Sequence, residues 1–288
     1  MSTVNGTQKP SRGRGCLRLL GRMALGLAIL LIVLAAAGYT YEQITTRQVQ
    51  VRYPPPGRMI EVDGHLMHLN CSGSGSPIVV LESQATSSSL DWGYVQPDIA
   101  MFTRVCSYDR AGFAWSEPAE GLRTARQAAS DLHALLSTAG EQGPYILAGA
   151  SYGGHIVRIF ADEYPAEVSG LVLIDPRPEQ FYAISEIREQ SDASLSSLRV
   201  ITVLGDLGVA RLLVAAFPQI SVPAAALPYY QSAPGSFEVV FGAKLWHAIY
   251  AEAEAGNASD EQVAAIETMG DLPLIVIRHG KPMFDSLP

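Results

Sequence analysis

One hexapeptide concentrates the chemistry of this sequence: Gly149-Ala150-Ser151-Tyr152-Gly153-Gly154. It has the form G-x-S-x-G. The apolar run 145–148 (YILA) leads into it, and a helix-compatible stretch, 153–164, leads out. A serine in so sharp a strand-to-helix turn is forced into strained dihedrals, and the flanking glycines remove side chains that would collide across the turn. The hydroxyl then stands clear of the sheet. The backbone N–H of Tyr152 lies beside it, at the start of a helix. This is the chemistry of acyl transfer: a serine hydroxyl attacks a carbonyl and a preorganised N–H stabilises the oxyanion that forms.

The surrounding elements must hold that turn in place. Arg58–Val62 and residues 66–70 flank Asp63-Gly64, a strong two-residue hairpin signal. Residues 78–81 (IVVL), 104–108 (RVCSY), 171–174 (LVLI) and Leu274–Ile277 read as further strands, three of them apolar enough to be buried on both faces. Residues 90–102 suggest a helix. Residues 124–139 place Ala128, Leu132, Leu135 and Leu136 on one helical face, with Gly140 as the stop. Strands alternating with helices imply an α/β protein with a mostly parallel sheet. Between the last two strands, residues 177–271 carry apolar helical runs such as 209–217 (VARLLVAAF) and no strong strand. A connection of that length is expected to be functional, here a helical lid.

Three stretches together resemble the α/β-hydrolase superfamily, in particular its capped bacterial hydrolases, over about residues 58–288. They are PYILAGASYGGHIVRIF, the strand VSGLVLIDP, and SYDRAGFAWSEP. The last is similar to that family's D-x-x-G-x-G-x-S segment: Asp109, Arg110, Gly112 and Ser116 match, and Ala114 replaces the second glycine. The resemblance implies an α/β-hydrolase fold with helices on both faces of the sheet and core residues 58–176 and 272–288. It implies Ser151 as nucleophile and Tyr152 N–H as one oxyanion donor. The second donor belongs to the loop after the third strand. That loop reads Glu82-Ser83-Gln84-Ala85, so Ala85 N–H takes the role and the Gln84 side chain either assists or stays on the surface. The acid is expected at Asp175, directly after LVLI, with Asp285 and Glu179 as alternatives. Superfamily order is serine, acid, histidine, with the histidine after an eighth strand. Of the six histidines, His65, His68 and His133 precede the elbow, His155 falls in its helix and His247 in the lid. The expectation is therefore that the catalytic histidine lies outside this chain; the alternative is His279, at the end of the seventh strand, as a substitute base. Strands two and four are neighbours in the superfamily's order, which suggests a Cys71–Cys106 disulfide in an exported domain.

The N-terminal region calls for a separate explanation. Residues 23–41 (MALGLAILLIVLAAAGYTY) carry no charge and are long enough to cross a bilayer. Lys9, Arg12, Arg14, Arg18 and Arg22 precede them, so the positive-inside rule places a basic tail, residues 1–22, in the cytoplasm and the remainder outside. Residues 42–57 are polar and then proline-rich, and read as a stalk stiffened by Pro54-Pro55-Pro56. Cleavage after a signal peptide is the alternative, since Ala35-Ala36-Ala37 offers small residues. Cys16 is expected free.

Composition excludes several classes. Of 288 residues, 48% are hydrophobic, too many for a disordered chain, and three cysteines do not make a disulfide scaffold. The net charge is −8; setting aside the five N-terminal cations leaves 15 basic against 28 acidic residues, which argues against nucleic-acid binding. There is no metal-ligand spacing, phosphate loop or dinucleotide fingerprint in the sequence, so no cofactor is expected. Asn257-Ala258-Ser259 matches a glycosylation acceptor. The expectation is a membrane-anchored serine hydrolase facing outward, acting on a small ester or amide with an apolar part. The alternatives are an inactive hydrolase-fold binding protein and an acyltransferase.

Overall fold

A computed structural model describes residues 12–217 and 239–280 of the chain. Its centre is a seven-stranded sheet: β1 (Arg58–Val62), β2 (His65–Ser72), β3 (Ile78–Glu82), β4 (Val105–Tyr108), β5 (Tyr145–Ala150), β6 (Val168–Ile174) and β7 (Leu274–Ile277). The spatial order is β1-β2-β4-β3-β5-β6-β7. β1, β2 and β4 pair antiparallel, and every pairing from β4 to β7 is parallel. The β1–β2 hairpin turns on Asp63 and Gly64, both at positive φ (47° and 84°), as an Asp-Gly turn requires.

Side chains alternate between the two faces, as the period of a strand dictates. Val80, Leu147 and Leu171 join one core with α3 (Ala125–Ala139) and α4 (Gly153–Glu163). Leu81, Ala148 and Val172 join another with Trp92 and Ile99. Helix α3 has Thr124 as its N-cap and Gly140 at φ 77° as its stop, and buries Ala128, Leu132, Leu135 and Leu136 as expected. Residues 90–102 are not one helix. They form a 3-10 turn, Ser89–Trp92, and the short α2 (Gln96–Ile99), because Gly93 and Pro97 interrupt the run. Cys71 and Cys106 face each other in the β2–β4 register and are joined by a disulfide, S–S 2.09 Å.

Between β6 and β7 the described residues are helical: α5 (Ser185–Asp206), α6 (Val209–Ala216), α7 (Ala243–Glu254) and α8 (Gly256–Ala264). At the N-terminus, α1 (Arg12–Arg52) includes a segment long and apolar enough to cross a membrane. The stalk read for residues 42–57 needs correcting. Helix α1 continues to Arg52, and residues 42–49 are not a solvated spacer but pack on the lid. Glu42 is buried and accepts from Arg211 Nε at 2.8 Å and Nη2 at 2.7 Å, and Val49 joins the core of Phe113, Val214 and Leu245. Only residues 53–57 remain as an irregular, proline-rich link.

Candidate active site

The elbow has the predicted geometry. Ser151 sits at φ 48°, between β5 and α4. A Cβ on Gly149 would lie 2.5 Å from Gly153 O, and one on Gly153 would lie 2.7 Å from Ser83 O. Any side chain at either position would push the turn apart, which is why glycine flanks the serine. Ser151 N–H donates to Ile174 O (2.9 Å), fixing the elbow to the end of β6. Among the described residues Ser151 Oγ has no hydrogen-bond partner, and neither Tyr152 N–H nor Ala85 N–H meets an acceptor.

A cavity of about 770 Å³ opens over the elbow. Its walls bring together Ala85, Ser151, Tyr152, Asp175 and His279. Asp175, at φ 46°, ends β6, and its N–H donates to Ile277 O of β7 (2.7 Å). His279 follows β7, and its Nδ1 is 2.6 Å from Asp175 Oδ1. Parallel pairing of β6 with β7 therefore places both residues at the same end of the sheet, beside Ser151. His279, the substitute base considered in the sequence, is thus the histidine of this chain that meets Asp175, and it is not hydrogen-bonded to Ser151. The rest of the wall includes Pro176, Pro178, Phe181 and Tyr182, mostly apolar, together with Arg177 and Arg278.

The other candidates fall elsewhere. Glu179 pairs with Arg158. Asp285 lies outside the described residues. Gln84 is exposed, and its carbonyl oxygen accepts from Arg110. His155 is buried in α4 with Nε2 3.1 Å from Asp260; burial holds its pKa below the usual imidazole value. His247 is on the lid, paired with Asp206. Ser259 of the glycosylation motif is buried in α8, where its hydroxyl accepts from Ala125 N–H (3.0 Å).

Sequence reading missed the network beneath the loop that follows β3. Arg110 donates through Nη1 to Glu82 Oε1 (2.6 Å) and Ser83 O (2.9 Å), and through Nη2 to Gln84 O (3.0 Å). Its Nε donates to Glu252 of α7 (2.6 Å). One guanidinium thus holds the loop that carries Ala85 and ties it to the lid. Burial opposes its charge, but Glu252 and Glu82 outweigh it and raise the Arg110 pKa well above the ordinary value. Burial raises the Glu82 carboxyl against the pull of Arg110, and Tyr108 OH donates to it. The signal was present in SYDRAGFAWSEP, where Arg110 matches the family segment. Ala114, which replaces that segment's second glycine, sits at φ 35°, in the region glycine favours.

Residues 76–233 match the family described as alpha/beta hydrolase fold. The chain is 32% identical over 139 residues to a probable transporter, efuK, of Hormonema carpetanum, covering 46% of this chain and 20% of that protein. It is 30% identical over 123 residues to a 2-hydroxymuconate semialdehyde hydrolase of a Pseudomonas species, covering 42% of this chain and 44% of that one. The chain thus spans less than half the length of these curated relatives. A solved structure of a putative acyltransferase from Salmonella enterica superposes with a TM-score of 0.59 at 21% identity, over 81% of this chain and 82% of that one.

Proposed function

Since this chain belongs to the alpha/beta hydrolase fold family, we propose that it is a serine hydrolase of the esterase or amidase kind, held in a membrane by α1 with its hydrolase domain outside the cytoplasm. One observation carries the reading: Ser151, strained at φ 48°, shares a cavity with the Asp175–His279 pair. In this reading Ser151 Oγ attacks the carbonyl carbon of an ester or amide. His279 takes the hydroxyl proton at Nε2, because its Nδ1–H is committed to Asp175, which fixes the tautomer and stabilises the imidazolium. The N–H groups of Tyr152 and Ala85 receive the oxyanion; losing one such donor costs roughly 3 kcal/mol. The imidazolium then protonates the leaving alcohol or amine. Water, deprotonated by His279, releases the acid from the acyl-enzyme. Pro176, Pro178, Phe181 and Tyr182 favour a substrate with an apolar part. No cofactor enters these steps.

The family equally accommodates acyl transfer, in which an acceptor other than water takes the acyl group. A second reading, a ligand-binding hydrolase fold without turnover, is favoured by one observation: no hydrogen bond joins Ser151 to His279. Catalytic contacts often tighten only with substrate bound. A fluorophosphonate probe tests between them. Covalent labelling that maps to Ser151 and disappears in Ser151→Ala supports the serine enzyme, and an unlabelled native chain supports the binding protein. Turnover of ester substrates by unlabelled native enzyme, with and without added alcohol acceptors, then separates hydrolase from acyltransferase.

A further inference from the structure

The lid and the N-terminal helix meet at one corner, the α5–α6 turn. A Cβ on Gly38 of α1 would lie 2.4 Å from Leu207 O, and one on Gly208 would lie 2.8 Å from the Tyr41 ring. Both α1 residues belong to the uncharged run 23–41. At 1.5 Å per residue, Gly38 is only about 5 Å short of the end of that run. Above the corner, Arg211 and Glu42 bind each other, and Ala243 N–H donates to Glu42 (2.9 Å), so the contact is bolted rather than incidental. Deeper along α1, Ile29 to Leu34 are all more than half exposed.

The corner is itself apolar on its outer side. Val203 on α5 and Leu212 and Leu213 on α6 are 56%, 54% and 50% exposed. Arg211 is the one charged residue of α6, and it is buried against Glu42. Asp206, the acid at the end of α5, pairs with His247 of α7. A helix with an apolar outer face and no charge on it is a poor water-facing element and a good interfacial one.

Resting on the reading of α1 as a membrane anchor, we propose that the α5–α6 corner lies in the headgroup–acyl boundary of the same bilayer, with Val203, Leu212 and Leu213 facing lipid. The occupant follows from continuity. The corner touches α1 within the segment that the bilayer covers, so lipid adjoining α1 adjoins these side chains too. The lid begins at the Ser151 cavity, whose wall includes Phe181 and Tyr182. A lid seated in the boundary layer puts that cavity within reach of an ester or amide partitioned into the membrane.

The test uses the full chain in phosphatidylcholine vesicles, in a Cys16→Ser background that leaves the disulfide intact. Leu213→Cys, Leu212→Cys and Leu30→Cys are each labelled with an environment-sensitive fluorophore, and lipids bearing a nitroxide near the top of the acyl chain (for 212 and 213) or near its end (for 30, which lies near the bilayer midplane) are added in separate samples. Retained thermal stability identifies the folded variants. The expected result is blue-shifted emission at 212 and 213 that is quenched roughly two-fold, with insertion about 5–10 Å into the boundary. Quenching at 30 without quenching at 212 or 213 overturns the proposal and leaves the anchor standing. Blue-shifted emission at 213 without lipid quenching means that protein, a second copy of the chain, covers the corner, and also overturns it. No quenching at any of the three positions removes the anchor reading and the proposal together.

Discussion

Two histidine–aspartate pairs in this chain have nearly the same contact distance and opposite surroundings. His68 Nδ1 is 2.7 Å from Asp109, and both side chains are wholly buried. His279 Nδ1 is 2.6 Å from Asp175, and the two side chains are 42% and 37% exposed. The buried ring is fully committed. Its Nε2 is 2.6 Å from Pro56 O, an atom that only accepts, so both ring nitrogens donate and the ring is an imidazolium. It ties the proline-rich link to β2 and to the turn at Asp109, which also accepts from Ser89 N–H (2.8 Å). The nearest hydroxyl, Ser116, is occupied: it accepts from His68 N–H and donates to Asp109 O. The exposed pair instead shares a cavity with Ser151. The same two residue types make a strut in one place and, in the proposed reading, a base in the other. The difference lies in which ring nitrogen remains for chemistry and in what shares the space around it.

Substitutions can break this comparison from either side. Asp175→Asn removes the group that fixes the His279 tautomer. Turnover is expected to fall about 10⁴-fold, with the melting temperature almost unchanged; a variant that keeps its turnover would show that Asp175 is only a turn residue. At the buried pair the pattern should invert. His68→Gln or Asp109→Asn leaves an uncompensated buried group, costing roughly 3–5 kcal/mol of stability in chemical denaturation. The surviving folded fraction should keep its activity per molecule.

The pH dependence of stability sharpens the same point. Burial opposes charge on both members of the buried pair, and each is outweighed by the other, so the Asp109 carboxyl lies below its ordinary 3.8 and the His68 imidazolium above its ordinary 6.5. The Asp109 contribution is present above pH 3.8 and lost as pH falls through the depressed value. The His68 contribution is complete below pH 6.5 and lost as pH rises through the raised value. The stability difference between the native chain and His68→Gln should therefore be largest between these limits and shrink in more alkaline solution; a difference constant to high pH would contradict a charged ring. The smallest effect is expected at a third pair, His247–Asp206, which is about half exposed on the lid. His247→Ala should cost no more than about 1 kcal/mol and leave Ser151 chemistry untouched.

What could be read from the sequence was whatever the chain encodes locally. The elbow needed only the run YILA, two glycines and a following helix, and Asp175 needed only its place at the end of LVLI. The Asp63-Gly64 hairpin and the Gly140 stop were equally local. The disulfide came from the strand order that the resemblance implied. What was not legible depended on contacts between distant residues. His279 meets Asp175 across 104 residues because β6 and β7 end side by side. Arg110 reaches Glu252 across 142 residues. Residues 42–52 looked like a polar stalk because Glu42 is polar; only Arg211, 169 residues away, makes that carboxylate an interior group.

The most direct test of the difference between the two pairs is the rate at which a fluorophosphonate modifies Ser151 in His279→Gln and in His68→Gln, measured below both melting temperatures. Loss of roughly a hundred-fold or more in rate for His279→Gln, with His68→Gln reacting like the native chain, is the predicted result. Native labelling rates in His279→Gln would contradict it, and would mean that His279 is not the base that activates Ser151.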